Sequence, residues 1–516
     1  MSTTDLEPGL PIQAIDFRPF EIGKLAELLA LKPPPLTQQA LKQFEYIEKY
    51  LGTLECKSVA IERHYIDKDH IEDHAIFYSK SLYPYPNYCQ RVHFFAVPAE
   101  AASNEVKRLA HGARKKSASE YSKECLRFSH ESYLGFAVVK PLPGCPVGRT
   151  ILRSLPDGDD DGITRRFPCT RISKIHFAGI ELTIKGLVFQ QQDTGVSACA
   201  TTAIWSALHK MRDFEEVEAA TPAQITMMAA RYALPFGRAM PSEGLSIDQM
   251  CMAVQELGIS PNLFRVKNFP TARAYLYSAT DSGIPSVLIL QDSKSDRRHA
   301  VTVAGMKLRS PHAETLVIQG QDDEAGDLLA LYVHDDRLGP YLRADVYDQG
   351  PALVLEIRLE YEKEPRAEKW TLSHILVPMH GKIRLSFGAM RKVTVGDLVP
   401  RLHSARASRR IADANSPVTF SNRIIRPQAY TEELLRNPDI GFGSVDVLRS
   451  RVPFSRYVGI VRMRASFTAP VDVLMDTTST LRNIICLGVL PFETNGNCRG
   501  LATTLAESLG CPLLIP

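Results

Sequence analysis

The sequence lacks a dominant charge: among 516 residues, 61 lysines and arginines stand against 58 aspartates and glutamates, a net +3. That balance excludes a globally polybasic nucleic-acid binder and an acidic disordered tail as overall descriptions. No stretch approaches the roughly 18–20 apolar residues of a membrane helix. The opening MSTTDLEPGLPIQ has neither the basic start nor the apolar core of a secretory signal. A cytoplasmic protein with no membrane partner is the expectation. Close cysteine pairs are missing too. The ten cysteines (56, 89, 125, 145, 169, 199, 251, 486, 498 and 511) contain no CxxC spacing, which zinc ribbons and redox motifs need. Most should be small buried hydrophobes, with no metal and no cofactor implied. There is no GxxxxGK[ST] phosphate loop, and Gly441 and Gly443 form no GxGxxG fingerprint. His70 and His74 stand one helical turn apart, but Ile71 occupies the position of the zinc-protease glutamate. The segment His64–His74 therefore reads as a solvated acidic loop.

What is present is ordinary globular material, 44% hydrophobic and 23% charged, long enough for about three domains or two large ones. Gln38 to Leu51 reads as an amphipathic helix with Leu41, Phe44, Ile47 and Leu51 on one stripe. Arg91–Val97 and Tyr133–Val139 read as strands. Asp157 to Gly162 reads as a polar boundary loop. Lys174 to Phe189 suggests a hairpin turning at Ala178-Gly179 or Lys185-Gly186. Ser246-Ile247-Asp248-Gln249 is a capping box opening a helix, with Gly258 as its stop. Strands are expected at Ser286–Leu290, Ala300–Ala304 and Leu329–Val333, and a β-rich stretch from about Tyr341 onward. The basic stretches Lys107–Lys123 and Arg391–Arg426, the latter with eight basic residues against two acidic, lack interleaved aromatics and read as solvated faces. No nucleic-acid partner is expected.

The chemistry concentrates at Phe189-Gln190-Gln191-Gln192-Asp193-Thr194-Gly195-Val196-Ser197-Ala198-Cys199, a loop leading into an alanine-rich helix, Ala198–Met211. With Ser197 as N-cap, Cys199 is the second helical residue. There the free backbone N–H groups and the helix dipole favour a thiolate. Gln192 and the Cys199 backbone N–H can supply oxyanion donors. A hundred residues later His299 opens a β-branched strand, and Leu331–Asp335 delivers a carboxylate into a turn. Imidazole can take a thiol proton, and a carboxylate on its other nitrogen fixes its orientation. Asp336 competes with Asp335 for that role, because alternation along a strand turns only one of them to His299.

These residues resemble the papain-like cysteine peptidases, in particular the bacteriocin-processing type, over about Thr170 to Asp345. Gly244-Leu245-Ser246 and Gly283-Ile284-Pro285 fit the same pattern. The resemblance implies Cys199 as nucleophile, His299 as general base, Asp335 as orienter and Gln192 as oxyanion donor. Two positions depart from it: Ala200 follows the cysteine where glycine is common, and Gln192 stands seven residues before it. The implied architecture is α+β: a papain-like module (residues 165–345) whose cysteine helix packs on an antiparallel sheet. An α/β region (1–164) precedes it and a β-rich region (346–516) follows. The implied activity is hydrolysis of a peptide or isopeptide bond in a protein partner. A deamidase or acyltransferase with the same triad, or an inactive binding scaffold, are the alternatives. Oligomeric state is not legible.

Overall fold

A computed structural model describes residues 15–29, 36–112, 116–160, 163–193, 195–196, 198–213, 219–231, 244–292, 295, 297–309, 327–349, 352–359, 366–401, 418–437, 440, 442–465, 468–479, 485–493 and 496–515. It is a mixed helix-and-strand fold in which all the main sheets are antiparallel.

The N-terminal sheet is a meander of β1 (Asp16–Pro19), β2 (Ser58–Tyr65), β3 (Cys89–Phe95), β4 (Tyr133–Val139) and β5 (Val147–Leu152). Helices α1 (Leu25–Leu28), α2 (Gln38–Thr53), α3 (Lys68–Ile76), α4 (Ala99–Gly112) and α5 (Ala118–Ser132) are interleaved with it. Two short hairpins follow: β6 (Gly158–Asp160) with β7 (Ile163–Arg166), and β8 (Arg171–Phe177) with β9 (Ile180–Gly186). The second turns at Ala178-Gly179, both at positive φ. The chain then returns as β10 (Val188–Phe189) to pair with β5.

The centre contains α6 (Cys199–Met211), α7 (Pro222–Ala230), α8 (Ile247–Glu256), β11 (Ile259–Arg265) and α9 (Phe269–Asp281). Six strands follow: β12 (Val287–Asp292), β13 (Arg298–Arg309), β14 (Leu328–Asp335), β15 (Gly339–Gln349), β16 (Ala352–Leu359) and β17 (Arg366–His380). Each pairs with the next, and β12 pairs with both β13 and β17, closing a six-strand ring. β11 adds to β17, and β7 to the far end of β13. Helix α6 lies on this ring because its buried face carries small residues, Ala200, Ala203 and Ala207, beside Trp205. Thr302 of β13 donates to the Ala203 carbonyl at 2.8 Å. The α8 capping box forms as expected from Ser246 and Gln249. After α10 (Phe387–Val393), four strands, β18 (Val418–Ile425), β19 (Val458–Ala465), β20 (Thr468–Asp476) and β21 (Cys486–Pro491), make a separate C-terminal meander. Its alternating residues feed two cores: Val461, Met463 and Val473 face the main one, while Val458, Ile460 and Leu474 join Tyr430 and Leu448 in a second.

Several expectations need correction. The division at 164/165 falls inside β7, and that at 345/346 inside β15; the ring runs on to His380, because β16 and β17 are needed to close it. Asp157–Gly162 is not only a loop, since it carries β6. The C-terminal region also holds helices Pro427–Arg436, Phe442–Arg451 and Gly496–Leu509. Leu41 is 39% exposed, and the α2 face is built instead from Phe44, Ile47, Tyr50 and Leu51. Much of the basic stretch 391–426 lies outside the described residues. The acidic His64–His74 segment is not a solvated loop: His64 and Tyr65 end β2 and Lys68–His74 belong to α3, with Asp69, His70 and Asp73 buried. No described helix is long and apolar enough to cross a membrane. All ten cysteines are free thiols, yet sequence-distant Cys486 and Cys511 come together with sulfurs 2.7 Å apart.

Candidate active site

Cys199 is the first residue of α6, one place nearer the end than expected, because Ala198 is the N-cap and caps with its backbone alone; Ser197 lies outside the described residues. The thiol therefore sits in the first turn, where unsatisfied backbone N–H groups favour negative charge. It is half-buried. The helix start is fixed by Thr202, whose N–H and hydroxyl both donate to the Ala198 carbonyl, at 3.0 and 3.2 Å.

His299, one residue into β13, pairs with Leu290 of β12. The Cys199 side chain stands near enough to the His299 ring to add to the rise of its pKa. His299 Nε2 lies 3.0 Å from Asp335 Oδ1 and 3.7 Å from Asp336 Oδ1. Both carboxylates reach it, contrary to strict strand alternation, because β14 ends at Asp335 and the chain turns there. The structure thus brings Cys199, His299 and Asp335 together. Gln192 is half-buried in the preceding loop and makes no hydrogen bond to any of the three.

Three further groups complete the cluster, and none stood out in the sequence. Arg337 donates to Asp335 Oδ2 at 2.9 Å and to Glu368 Oε2 at 3.0 Å. The Trp370 indole N–H donates to the same Glu368 oxygen at 3.1 Å. The Arg337 guanidinium stands 5.3 Å from the Trp370 ring centroid, and the His299 ring 5.6 Å from it. Glu368 and Trp370 arrive on β17, beyond the expected module boundary; only ring closure carries them to the site. Arg337 Nε also lies 3.2 Å from His299 Nε2 and 3.3 Å from Asp335 Oδ1. Nε2 cannot donate to Asp335 and accept from Arg337 at once. The shorter, charge-assisted contact is the one to Asp335, so Nε2 carries the proton and Arg337 Nε serves Asp335.

Burial alone would depress the His299 pKa, but the Asp335 charge and hydrogen bond outweigh it and raise it to about 10, with Cys199 and Asp336 adding to the effect. Asp335 resists its own desolvation: the charges of His299 and Arg337 hold it well below the usual carboxylate range. Burial pushes Asp336 up to about 7, opposed by His299 and reinforced by Asp335. The result is an imidazolium held by one ionised carboxylate, with a second carboxyl beside it. His299, Asp335 and Asp336 have ligand atoms within 4.8 Å of one another, a spacing also open to a cation. The imidazolium and Arg337 already answer that negative charge, so the donor set suits ion pairing better than a metal.

No protein-family model matches the sequence, and no curated protein matches it either.

Proposed function

We propose that the protein is a papain-like thiol hydrolase that cleaves a peptide or isopeptide bond in a protein partner through Cys199, His299 and Asp335. The observation that carries the reading is the convergence of Cys199, first residue of α6, on His299, whose pKa it helps to raise, with His299 Nε2 3.0 Å from Asp335. With Nε2 committed to Asp335, Nδ1 is the nitrogen left to exchange a proton with the thiol. The proton that Cys199 gives up is the one His299 holds as imidazolium in the resting pair, so the sulfur attacks the amide carbon as thiolate. The oxyanion is held by the Cys199 backbone N–H and, once the loop closes on substrate, by the Gln192 amide. His299 returns the proton to the leaving amine, leaving a thioester. Water, deprotonated by His299, then releases the acid. Asp335 keeps the imidazole in register throughout, and Arg337, braced by Glu368, keeps Asp335 ionised.

Cys199 is half-buried, as are five of the other cysteines, so its place at the start of α6 beside His299, and not its exposure, favours a reactive thiol over an inert scaffold. The test is labelling of Cys199 by iodoacetamide near neutral pH, followed by mass spectrometry. Rapid modification of Cys199 ahead of the other nine thiols, lost in a folded Cys199→Ala variant together with cleavage of partner proteins, is expected. Labelling no faster than that of buried Cys169, or cleavage undiminished in the variant, overturns the reading. Mass increases of about one unit in intact partners would mark deamidation instead.

A further inference from the structure

The loop from Gln190 to Ala198 decides where Gln192 and Cys199 stand, and the N-terminal region grips it from several sides. Asp193, 1% exposed, turns its Oδ1 back to accept from the Gly195 N–H at 2.8 Å. Its Oδ2 faces Lys140 at 3.6 Å, just after β4, and that lysine is itself only 3% exposed. Lys140 Nζ, Asp193 Oδ2 and Asp73 Oδ1 of α3 are all buried without a hydrogen-bond partner. Gly195 lies so close to the segment after α3 that a Cβ there would meet Phe77 at 2.8 Å and the Tyr78 hydroxyl at 3.1 Å. Val196 is fully buried against Tyr78, Leu142 and Ala223. Its carbonyl accepts from Thr226 of α7 at 2.9 Å.

The other side of the site is held in the same way. Gln43 of α2 donates to the Asp336 carbonyl at 2.9 Å, and the Tyr46 hydroxyl to the Pro340 carbonyl at 2.7 Å. The Gln39 amide reaches the Arg337 carbonyl. The segments after β4 and α3 on one side and α2 on the other therefore clamp the two segments that bear Cys199 and Asp335.

We propose that the N-terminal region is a working part of the active site, with Asp193 and Lys140 as positioning residues for the Gln192–Cys199 loop; this rests on the reading of Cys199 as the nucleophile. Packing alone does not ask for this pair, since apolar residues of similar volume replace buried ion pairs at little or no cost in stability. What an apolar pair cannot do is hold the loop from inside through the Asp193–Gly195 turn while a buried cation fixes the other carboxylate oxygen.

The test measures iodoacetamide modification of Cys199 in the full-length chain as a rate against pH, beside the thermal midpoint. The double variant Lys140→Met with Asp193→Leu removes both charges together and so leaves no lone buried ion. It is expected to stay folded and to react about 10–100-fold more slowly, as misplacement by about 1 Å allows, with an altered pH profile. A purely structural pair would move the midpoint and leave the profile of the folded protein unchanged. Gly195→Ala, which pushes the loop off Phe77 without touching a charge, is expected to slow the reaction as well, and Phe77→Ala in that background to restore part of it. If the double variant does not fold, the Gly195→Ala series decides. Parental rates in the folded variants overturn this inference alone. Absence of labelling in the parent overturns the nucleophile reading and this inference with it.

Discussion

The N-terminal and C-terminal regions both bury ions, and they do so differently. In the C-terminal meander, Arg462 donates to Asp472 at 2.7 and 2.6 Å and to Glu433 at 2.8 Å, and the Tyr430 hydroxyl donates to Asp472 at 2.8 Å. Asp472 is fully buried, and its charge is answered at short range on both oxygens. Lys140 of the N-terminal region and Asp193 of the loop before α6 stand 3.6 Å apart with polar atoms left over on both. The first network is closed, and it sits in a sheet with its own core on one face. The second is open, and it lies under the loop that leads into Cys199. Satisfied buried networks fix a fold, whereas incompletely satisfied ones occur where a protein tolerates cost for another purpose. The comparison assigns structural work to one terminal region and site geometry to the other.

The sharpest test of where the chemistry resides is Asp335→Asn, which keeps the shape but removes the charge that holds His299 as imidazolium. Turnover of a cleaved partner should fall by about 10³–10⁴-fold, the scale seen when a triad acid is neutralised, measured as kcat on a protein that unfolds at its usual temperature. Retained turnover would make the carboxylate a bystander. Next in size is Arg462→Met. It strands Asp472 in the C-terminal core and should cost about 3–5 kcal/mol of stability in denaturant titration, while the rate of Cys199 labelling in the folded protein stays at the parental value. A slowed label would erase the distinction between the two regions.

The smallest effect is on the pH dependence of stability. The His299 pKa rises on folding from 6.5 to about 10. Its contribution is fully present below about pH 6.5 and is lost as pH climbs through about 10, because the folded state binds the proton more tightly. Thermal midpoints should therefore fall between those values, and the fall should be shallower in His299→Gln. Equal slopes would show that the imidazolium is not held in the folded protein.

Local pattern carried a good part of this. The α8 capping box, the α2 helix and strand β4 from Tyr133 to Val139 are short-range features, decided by caps and periodicity, whereas glycine marked two turns for the β8–β9 hairpin and the structure chose Ala178-Gly179. The positions of Cys199, His299 and Asp335 at or next to element ends were legible for the same reason, because the type of each element shows in its neighbours. The acidic α3 segment was misread, because burial of Asp69, His70 and Asp73 depends on α7 and the loop at Asp193 covering them, and no local charge pattern reports that cover. The boundary at 345/346 failed because strands β16 and β17 carry no mark saying that their ring must close on β12.

The sequence by itself determined which residues could do thiol chemistry: a cysteine opening a helix, a histidine opening a strand, an aspartate closing one. Those are properties of element ends, and element ends are written within a few residues. Only the tertiary structure decided what surrounds them. Arg337, Glu368 and Trp370 join Cys199, His299 and Asp335 through closure of the six-strand ring, while Lys140, Gln43 and Tyr46 of the N-terminal region brace the segments that carry them. Those contacts join residues as far as 298 positions apart, where pairing depends on which surfaces bury apolar area together, and on no pattern that a window of sequence contains.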